Sequence, residues 1–225
     1  MSTVAKAEVY GLIQAEVERA KARLIAVSKT HPKEKITAFY ALGHRDFGEN
    51  RVNELVDKQA SLPSDINWHF IGHLQRNKVK YIAPFVHLIH AVDSLRLLRE
   101  IDKQGQNNDR VIDVLLQFHI AQESNKYGLD WSEAAAILSD IQETPLTGAR
   151  IVGVMGMATY TDHDEQIAAE FDELVSYYNR LKNSHFSANS YFKEISMGMS
   201  GDYPLALQKG STMVRVGSLL FGERG

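Results

Sequence analysis

The chain has 225 residues, 44% hydrophobic and 24% charged, so it can form one sizeable core. Its net charge of −3 argues against binding to nucleic acid or to an anionic membrane surface. It has no cysteine, which excludes disulfides, thiolate metal ligands and a cysteine nucleophile. No apolar run reaches the ~18 residues of a membrane span, and the charged, amphipathic start lacks the centre of a signal peptide. We therefore expect a soluble cytoplasmic protein with no membrane or nucleic-acid partner.

An amphipathic helix is predicted over residues 4–22, and short β-branched runs then alternate with longer helical ones. The predicted strands are LIAVSKT, RDFGEN, NWHFIGH, VHLIHAVD, VIDVLLQFHI, RIVGVMGMAT, YFKEISMG and TMVRVGSL. The predicted helices between them lie around Ile36–Leu42, from Arg51 onward, and in QRNKVKYIA, LRLLREIDKQ, WSEAAAILSDIQ, EQIAAEFDELVSYYNRLKN and YPLALQ. Strands that alternate with helices pair in parallel through crossover connections.

This pattern predicts an α/β fold, a (β/α)8 TIM barrel preceded by one extra helix. An open doubly wound sheet is the alternative, but its first turn would carry a glycine fingerprint, and SKTHP contains no glycine. No Pro/Gly/Ser linker interrupts the series, so we expect residues 1–225 to form a single domain. In such a barrel the functional residues follow the carboxyl ends of the strands.

The loops after the seventh and eighth strands, SMGMSGD and VGS, suggest an anion site. Gly198 and Gly201 allow backbone N–H groups to converge, and Ser200 adds a hydroxyl. Gly217 and Ser218 provide a second arm, and a helix starting near Asp202 would point its positive end to the same place. Loop glycines are more often simple turn residues, but a barrel commonly binds phosphate between these two loops, which favours a phosphate site.

Lys29 ends the first predicted strand, where a lysine is rarely placed for packing. Opposite a phosphate site, its amine could form a Schiff base with a phosphorylated carbonyl compound. An exposed lysine or a salt-bridge partner is the alternative.

Arg215 alternates with Val214 and Val216 along the eighth strand, so it is predicted to point into the barrel. A buried guanidinium needs an acceptor, because an unpaired charge is costly to bury. The nitrogen of a pyridine ring would serve, and so would a carboxylate of Glu49 or Asp93.

The histidines do not predict a metal site. His87 and His90 lie three apart in a predicted strand, so they face opposite sides and cannot share an ion. The TDHDE stretch is better explained as a helix start, with Thr161 or Asp162 as the cap and Glu165 reaching back.

Five motifs resemble the pyridoxal 5′-phosphate homeostasis proteins, single-domain relatives of the alanine racemase-like, fold type III barrel. They are AVSKTHP, GHRDFGENRVNE, WHFIGHLQRNKVK, SMGMSGDYPLAL and GSTMVRVGSLLFG, and they extend over residues 26–222. The resemblance implies that Lys29 carries pyridoxal 5′-phosphate as a Schiff base and that Arg215 faces its pyridine nitrogen. It also implies a phosphate site at Ser200, Gly201, Gly217 and Ser218, with Asn50 beside the ring and Met199 and His73 near the pocket.

Lys126, in ESNKYG, resembles a second lysine of the family. Two positions differ from the family pattern: His31 stands where lysine is frequent, and Ser218 where threonine is common. Both keep a polar side chain, so coenzyme binding is still expected.

The resemblance implies a protein that buffers or delivers the coenzyme, with apo forms of coenzyme-dependent enzymes as candidate recipients. An arginine can only donate, so a pyridine nitrogen facing it stays unprotonated and stabilises carbanions weakly. The racemases of this kind take a second base from a β-rich domain after the barrel, and we expect none beyond FGERG. Tyr127 and Tyr160 remain candidate bases, which leaves a racemase of low activity as the alternative. A Schiff-base aldolase of sugar phosphates is a third hypothesis, and a monomer or weak dimer is expected.

Overall fold

In the computed structural model, which describes residues 3–123 and 127–222, eight parallel strands close into a barrel in chain order. The strands are β1 Arg23–Val27, β2 Asp46–Glu49, β3 Asn67–Phe70, β4 Leu88–Val92, β5 Ile112–Gln117, β6 Ala149–Met155, β7 Glu194–Ser196 and β8 Met213–Val216. The last strand pairs with the first, from Arg23 opposite Met213 to Ala26 opposite Val216, and so closes the ring. The predicted barrel is confirmed.

Helices follow the strands on the outside of the barrel. They are α1 Thr3–Arg19, α2 Lys33–Ala41, α3 Val52–Ser61, α4 Val79–Ile82, α5 Leu95–Asn107, α6 Trp131–Glu143, α7 Asp164–Ser184, α8 Tyr203–Gln208 and α9 Ser218–Phe221. The extra first helix is confirmed. The helix predicted over QRNKVKYIA is instead a short 3-10 turn, Arg76–Lys78, followed by α4, and α9 was not predicted.

The predicted cap of α7 is wrong. His163 occupies the N-cap position, and its side chain makes no capping hydrogen bond. The hydroxyl of Thr161 accepts a hydrogen bond from the backbone N–H of His163 at 3.3 Å, but Thr161 lies two residues before the N-cap position and so does not cap the helix.

Alternation along the strands separates two buried layers. Leu24, Ala26, Val214 and Val216 belong to the larger layer between strands and helices, while a smaller cluster fills the barrel. The inner cluster contains Ile25, Leu88, Ala91, Leu115, Val152, Met155 and Met213. Arg215 shares the inner face of β8 with Met213 and is only 4% exposed, as its alternation predicted.

The extra helix α1 contacts the far end of the chain. The hydroxyl of Tyr203, the first residue of α8, donates to the carboxylate of Glu16 in α1 at 2.7 Å. Among the helices that the structure describes, none combines the length and the apolar character needed to cross a membrane.

Candidate functional site

Lys29 lies two residues after the end of β1, in a turn at the carboxyl end of the strand, and is partly buried. Within β1, Ile25 belongs to the inner cluster of the barrel. The chain turns immediately afterwards, since Thr30 has a φ of 66°. The backbone N–H of Thr30 donates to the carboxylate of Glu54 at 2.6 Å, which fixes this turn against α3.

Glu49, at the end of β2, lies in a buried ion pair behind the mouth. Lys58 donates from Nζ to Glu49 Oε1 at 2.7 Å, to Glu54 Oε1 at 2.7 Å and to the carbonyl of Ser28 at 2.9 Å. Burial raises the pKa of Glu49 to about 6, although the charge and hydrogen bond of Lys58 act in the opposite direction. Glu49 Oε1 thus accepts from Lys58 and from the Ser28 hydroxyl, the latter at 2.6 Å, whereas Arg215 bonds to other groups.

Arg215 is held by neutral groups. Its Nη1 donates to Ser196 Oγ at 2.6 Å and its Nη2 to the carbonyl of Gly156 at 3.0 Å. Burial lowers the pKa of Arg215 to about 10, and the charge of Asp202 partly offsets this effect. Asp93, the other carboxylate suggested by the sequence, instead contacts His73.

The two predicted anion loops meet. The backbone N–H of Gly217 donates to Ser200 Oγ at 3.1 Å, so the loop after β7 is joined to the loop after β8. Because Ser200 accepts this bond, its own hydroxyl hydrogen is available to an anion. Gly198 has a φ of 92°, and a Cβ there would lie 2.5 Å from Ala206, so only glycine suits this turn. Asp202 precedes α8 as predicted, but its carboxylate accepts the N–H of Met199.

Asn50 lies beside this mouth with an unsatisfied group. Its Oδ1 is buried and has no hydrogen-bond partner among the described residues. Gly72 packs so tightly here that a Cβ would stand 2.3 Å from the Asn50 carbonyl, which fixes the backbone of Asn50. An orphaned buried oxygen is rare in a folded protein and suits a site that receives a polar ligand.

The remaining predicted residues lie at the rim. His73 Nδ1 is 3.2 Å from the carboxylate of Asp93, and its ring stacks on Tyr127 with centroids 4.2 Å apart. Met199 is 36% exposed, and Tyr160 is 97% exposed. A groove of about 1110 Å³ runs along this side of the mouth and includes Asn50 and His73. Lys126 lies outside the described residues.

A buried polar chain that the sequence pattern did not predict lies beneath Arg215. We call it the interior polar chain and define it as Asp46, His69, His90 and Ser196. Ser196 Oγ is 2.9 Å from His90 Nδ1, His90 Nε2 is 3.0 Å from His69 Nδ1, and His69 Nε2 is 3.0 Å from Asp46 Oδ1. Alternation along β3 and β4 could have placed both histidines inside the barrel. Their contact across two strands requires the register, which the sequence does not reveal.

The barrel and its mouth define the class to which the chain belongs. A family model described as "Alanine racemase, N-terminal domain" matches residues 7–225. An alanine racemase of Bartonella henselae, 17% identical, superimposes with a TM-score of 0.69 over 100% of this chain and 60% of its own. At that identity the likeness concerns the fold alone.

Closer relatives narrow the class. A pyridoxal phosphate homeostasis protein of Aquifex aeolicus is 38% identical over 218 residues, which cover 94% of this chain and 93% of the relative. PipY of Synechococcus elongatus PCC7942, solved with PLP bound, is 34% identical with a TM-score of 0.85, over 96% of this chain and 100% of PipY. The chain belongs to the alanine racemase N-terminal domain family and, within it, to the pyridoxal phosphate homeostasis proteins.

Proposed function

We propose that this protein binds pyridoxal 5′-phosphate at the barrel mouth and serves its homeostasis, by buffering the coenzyme or delivering it to apoenzymes. The observation that carries the proposal is the buried guanidinium of Arg215, held by Ser196 and Gly156 rather than by a carboxylate. Among the described residues, no charged group hydrogen-bonds to this cation, which suits a ring nitrogen that can accept from it.

Different residues of the mouth would bind different parts of the coenzyme. Ser200, Gly201, Gly217 and Ser218 would hold the phosphate, since the Gly217–Ser200 bond already brings both loops together. Asn50 would lie beside the ring with its buried Oδ1, and Met199 would border the pocket. Lys29 supplies the amine that would anchor the coenzyme covalently. The coenzyme brings an aldehyde that condenses with amines and a ring that withdraws electrons.

The protonation chemistry of Arg215 favours a carrier over a dedicated catalyst. A guanidinium donates hydrogen bonds but does not give up its proton near neutral pH, even where burial lowers the pKa of Arg215 to about 10. It would therefore leave a facing nitrogen unprotonated, and the stabilisation of carbanions would be weak. A homeostasis role also agrees with the names of the relatives from Aquifex aeolicus and Homo sapiens, the latter 36% identical.

The test is covalent trapping. Purified protein loaded with pyridoxal 5′-phosphate should show a visible absorption band that borohydride removes, with one coenzyme mass added to the intact chain. Lys29→Ala should lose the adduct while keeping its circular dichroism. Lys33→Ala, which removes an exposed lysine at the start of α2, is the matched control and should keep it. Trapping on another lysine would reject Lys29 as the anchor, and absence of any adduct would reject the covalent site.

A second measurement separates carrier from racemase. The loaded protein is incubated with single enantiomers of amino acids, and their optical purity is followed by chiral chromatography. Turnover abolished by Lys29→Ala would replace the carrier proposal with a racemase. Retained optical purity would support the carrier.

A further inference from the structure

The interior polar chain runs from the mouth of the barrel toward its floor. Its uppermost bond joins Arg215 Nη1 to Ser196 Oγ at 2.6 Å, and its lowest joins His69 Nε2 to Asp46 Oδ1 at 3.0 Å. His69, His90 and Ser196 are fully buried, and Arg215 is almost so. Such groups rarely persist in a core without satisfying one another.

The donor-only chemistry of Arg215 fixes every proton below it. Ser196 accepts from Arg215, so its own hydroxyl hydrogen points to His90 Nδ1. His90 then carries its hydrogen on Nε2 and donates to His69 Nδ1. His69 likewise carries its hydrogen on Nε2 and donates to the Asp46 carboxylate. This tautomer assignment follows from the network and leaves each hydrogen bond with one donor and one acceptor.

The protonation states of the histidines and of Asp46 agree with hydrogen bonds that all donate from Arg215 toward Asp46. Burial lowers the pKa of His69 to about 4, and burial also lowers the pKa of His90 well below its usual value. Both imidazoles are therefore neutral near pH 7. Burial acts to raise the pKa of Asp46, but the hydrogen bond from His69 and the charge of Arg23 act to lower it, and the pKa of Asp46 stays below its usual value, so the carboxylate is ionised.

We propose that Asp46, His69, His90 and Ser196 are positioning residues, a one-way hydrogen-bond chain that orients Arg215 toward the mouth. With its hydroxyl hydrogen donated to His90 Nδ1, Ser196 presents its oxygen lone pairs to the Arg215 guanidinium. His90 accepts on Nδ1 in the tautomer that carries its hydrogen on Nε2, and this buried N–H is satisfied by His69, whose own N–H is satisfied by Asp46. The effect of this chain on a pyridine nitrogen that faces Arg215 rests on the proposed function. The arrangement of hydrogens along the chain does not.

A metal site at the lower end is the competing explanation. Asp46, His69 and His87 each offer one ligand atom, and these atoms lie within 4.8 Å of one another. The positive charge of Arg23 acts on both imidazoles, which opposes a bound cation. His69 Nε2 also already serves as the donor to Asp46. We therefore assign these groups to hydrogen bonding.

The first test needs no coenzyme. Long-range ¹H–¹⁵N spectra of the wild-type protein should show His69 and His90 protonated on Nε2 alone, with neither ring titrating between pH 6 and 8. Protonation of either ring on Nδ1 would overturn the proposal. So would binding of one equivalent of Zn²⁺ that is lost in Asp46→Ala, because it would assign the lower end to a metal.

The second test measures the effect at the mouth. Ser196→Ala and His90→Phe should each raise the Kd for pyridoxal 5′-phosphate about tenfold and shift the absorption band of the bound coenzyme. His90→Asn should restore most of both, because its amide oxygen stands where Nδ1 accepted from Ser196. His87→Gln, a change at an exposed imidazole near the floor, is the matched control and should leave both unchanged.

The two tests separate the possible failures. If the wild-type protein does not bind the coenzyme, the proposed function fails, and the tautomer spectra still decide the chain. If the coenzyme binds but Ser196→Ala leaves its Kd and spectrum unchanged, the positioning role is wrong. Thermal unfolding of each variant identifies any that fail to fold, and for those the wild-type spectra remain decisive.

Discussion

Ser200 and Gly217 are joined by a hydrogen bond of 3.1 Å, from the backbone N–H of Gly217 to the serine hydroxyl. This single bond ties the loop after β7 to the loop after β8. Because Ser200 accepts this bond, its own hydroxyl hydrogen stays available to a further acceptor. We therefore expect these two residues to contact the phosphate group of a bound ligand.

Ser200→Ala is expected to weaken binding of pyridoxal 5′-phosphate about tenfold, because it removes one hydrogen bond to a charged group and loosens the two loops. Affinity for pyridoxal, which lacks the phosphate, should barely change. Equilibrium titration of both compounds by absorbance measures the difference. An equal loss for both would mean that Ser200 supports the pocket in general and does not recognise phosphate.

Gly198 and Gly201 lie in the same loop and should respond differently to alanine. Gly198→Ala is expected to lower the free energy of unfolding by about 2–4 kcal/mol, because alanine at positive φ is strained and its Cβ would overlap Ala206. Gly201 has open space around it, so Gly201→Ala should cost little stability. Urea denaturation compares the two. Similar losses would show that the loop relaxes around the new methyl group.

Removal of one partner of the Glu49–Lys58 ion pair should lower the stability of the protein. Lys58→Met leaves a buried carboxylate without its cation, and we expect the free energy of unfolding to fall by about 3–5 kcal/mol. Glu49→Gln combined with Lys58→Met should recover part of this loss, since no buried charge then remains in the pair. A double variant no more stable than Lys58→Met alone would show that the cost is not electrostatic.

His69 should make stability depend on pH. Burial lowers the pKa of His69 from 6.5 to about 4, so the unfolded chain binds more protons than the native one between these values. The contribution of His69 to the free energy of unfolding is therefore fully present above pH 6.5. It falls by about 3 kcal/mol as the pH is lowered toward 4.

The measurement is the free energy of unfolding in urea between pH 7 and pH 4, for the wild type and for His69→Gln. The variant should lose less stability on acidification. Glu49 acts in the opposite direction, because burial raises its pKa to about 6, but it is present in both proteins and cancels in the comparison. Parallel curves would mean that His69 is not the residue responsible.

Much of the fold could be predicted because periodicity is local. Alternation along β8 was enough to put Arg215 inside and Val214 and Val216 outside, and the structure confirms this. Short elements were harder. Neither the 3-10 turn at Arg76–Lys78 nor the helix α9 has enough residues to establish a period.

The candidate site was predictable only as a set of strand ends. The sequence predicted that the loops carrying Ser200 and Gly217 would meet, because a barrel brings neighbouring strand ends together. It offered Glu49 and Asp93 as partners of Arg215, but Glu49 pairs with Lys58 and Asp93 with His73. Partner choice depends on side-chain reach across the barrel, and no local pattern encodes it.

The contact between Tyr203 and Glu16 gives the N-terminal helix a role in the architecture of the mouth. Tyr203 follows directly on the loop of Ser200 and Gly201, and its hydroxyl is fixed by a carboxylate on α1. Truncation of the first helix would therefore release the outer support of that loop without removing any residue from it. We therefore expect an N-terminal tag or fusion partner to leave the mouth intact when the bond between Glu16 and Tyr203 is preserved.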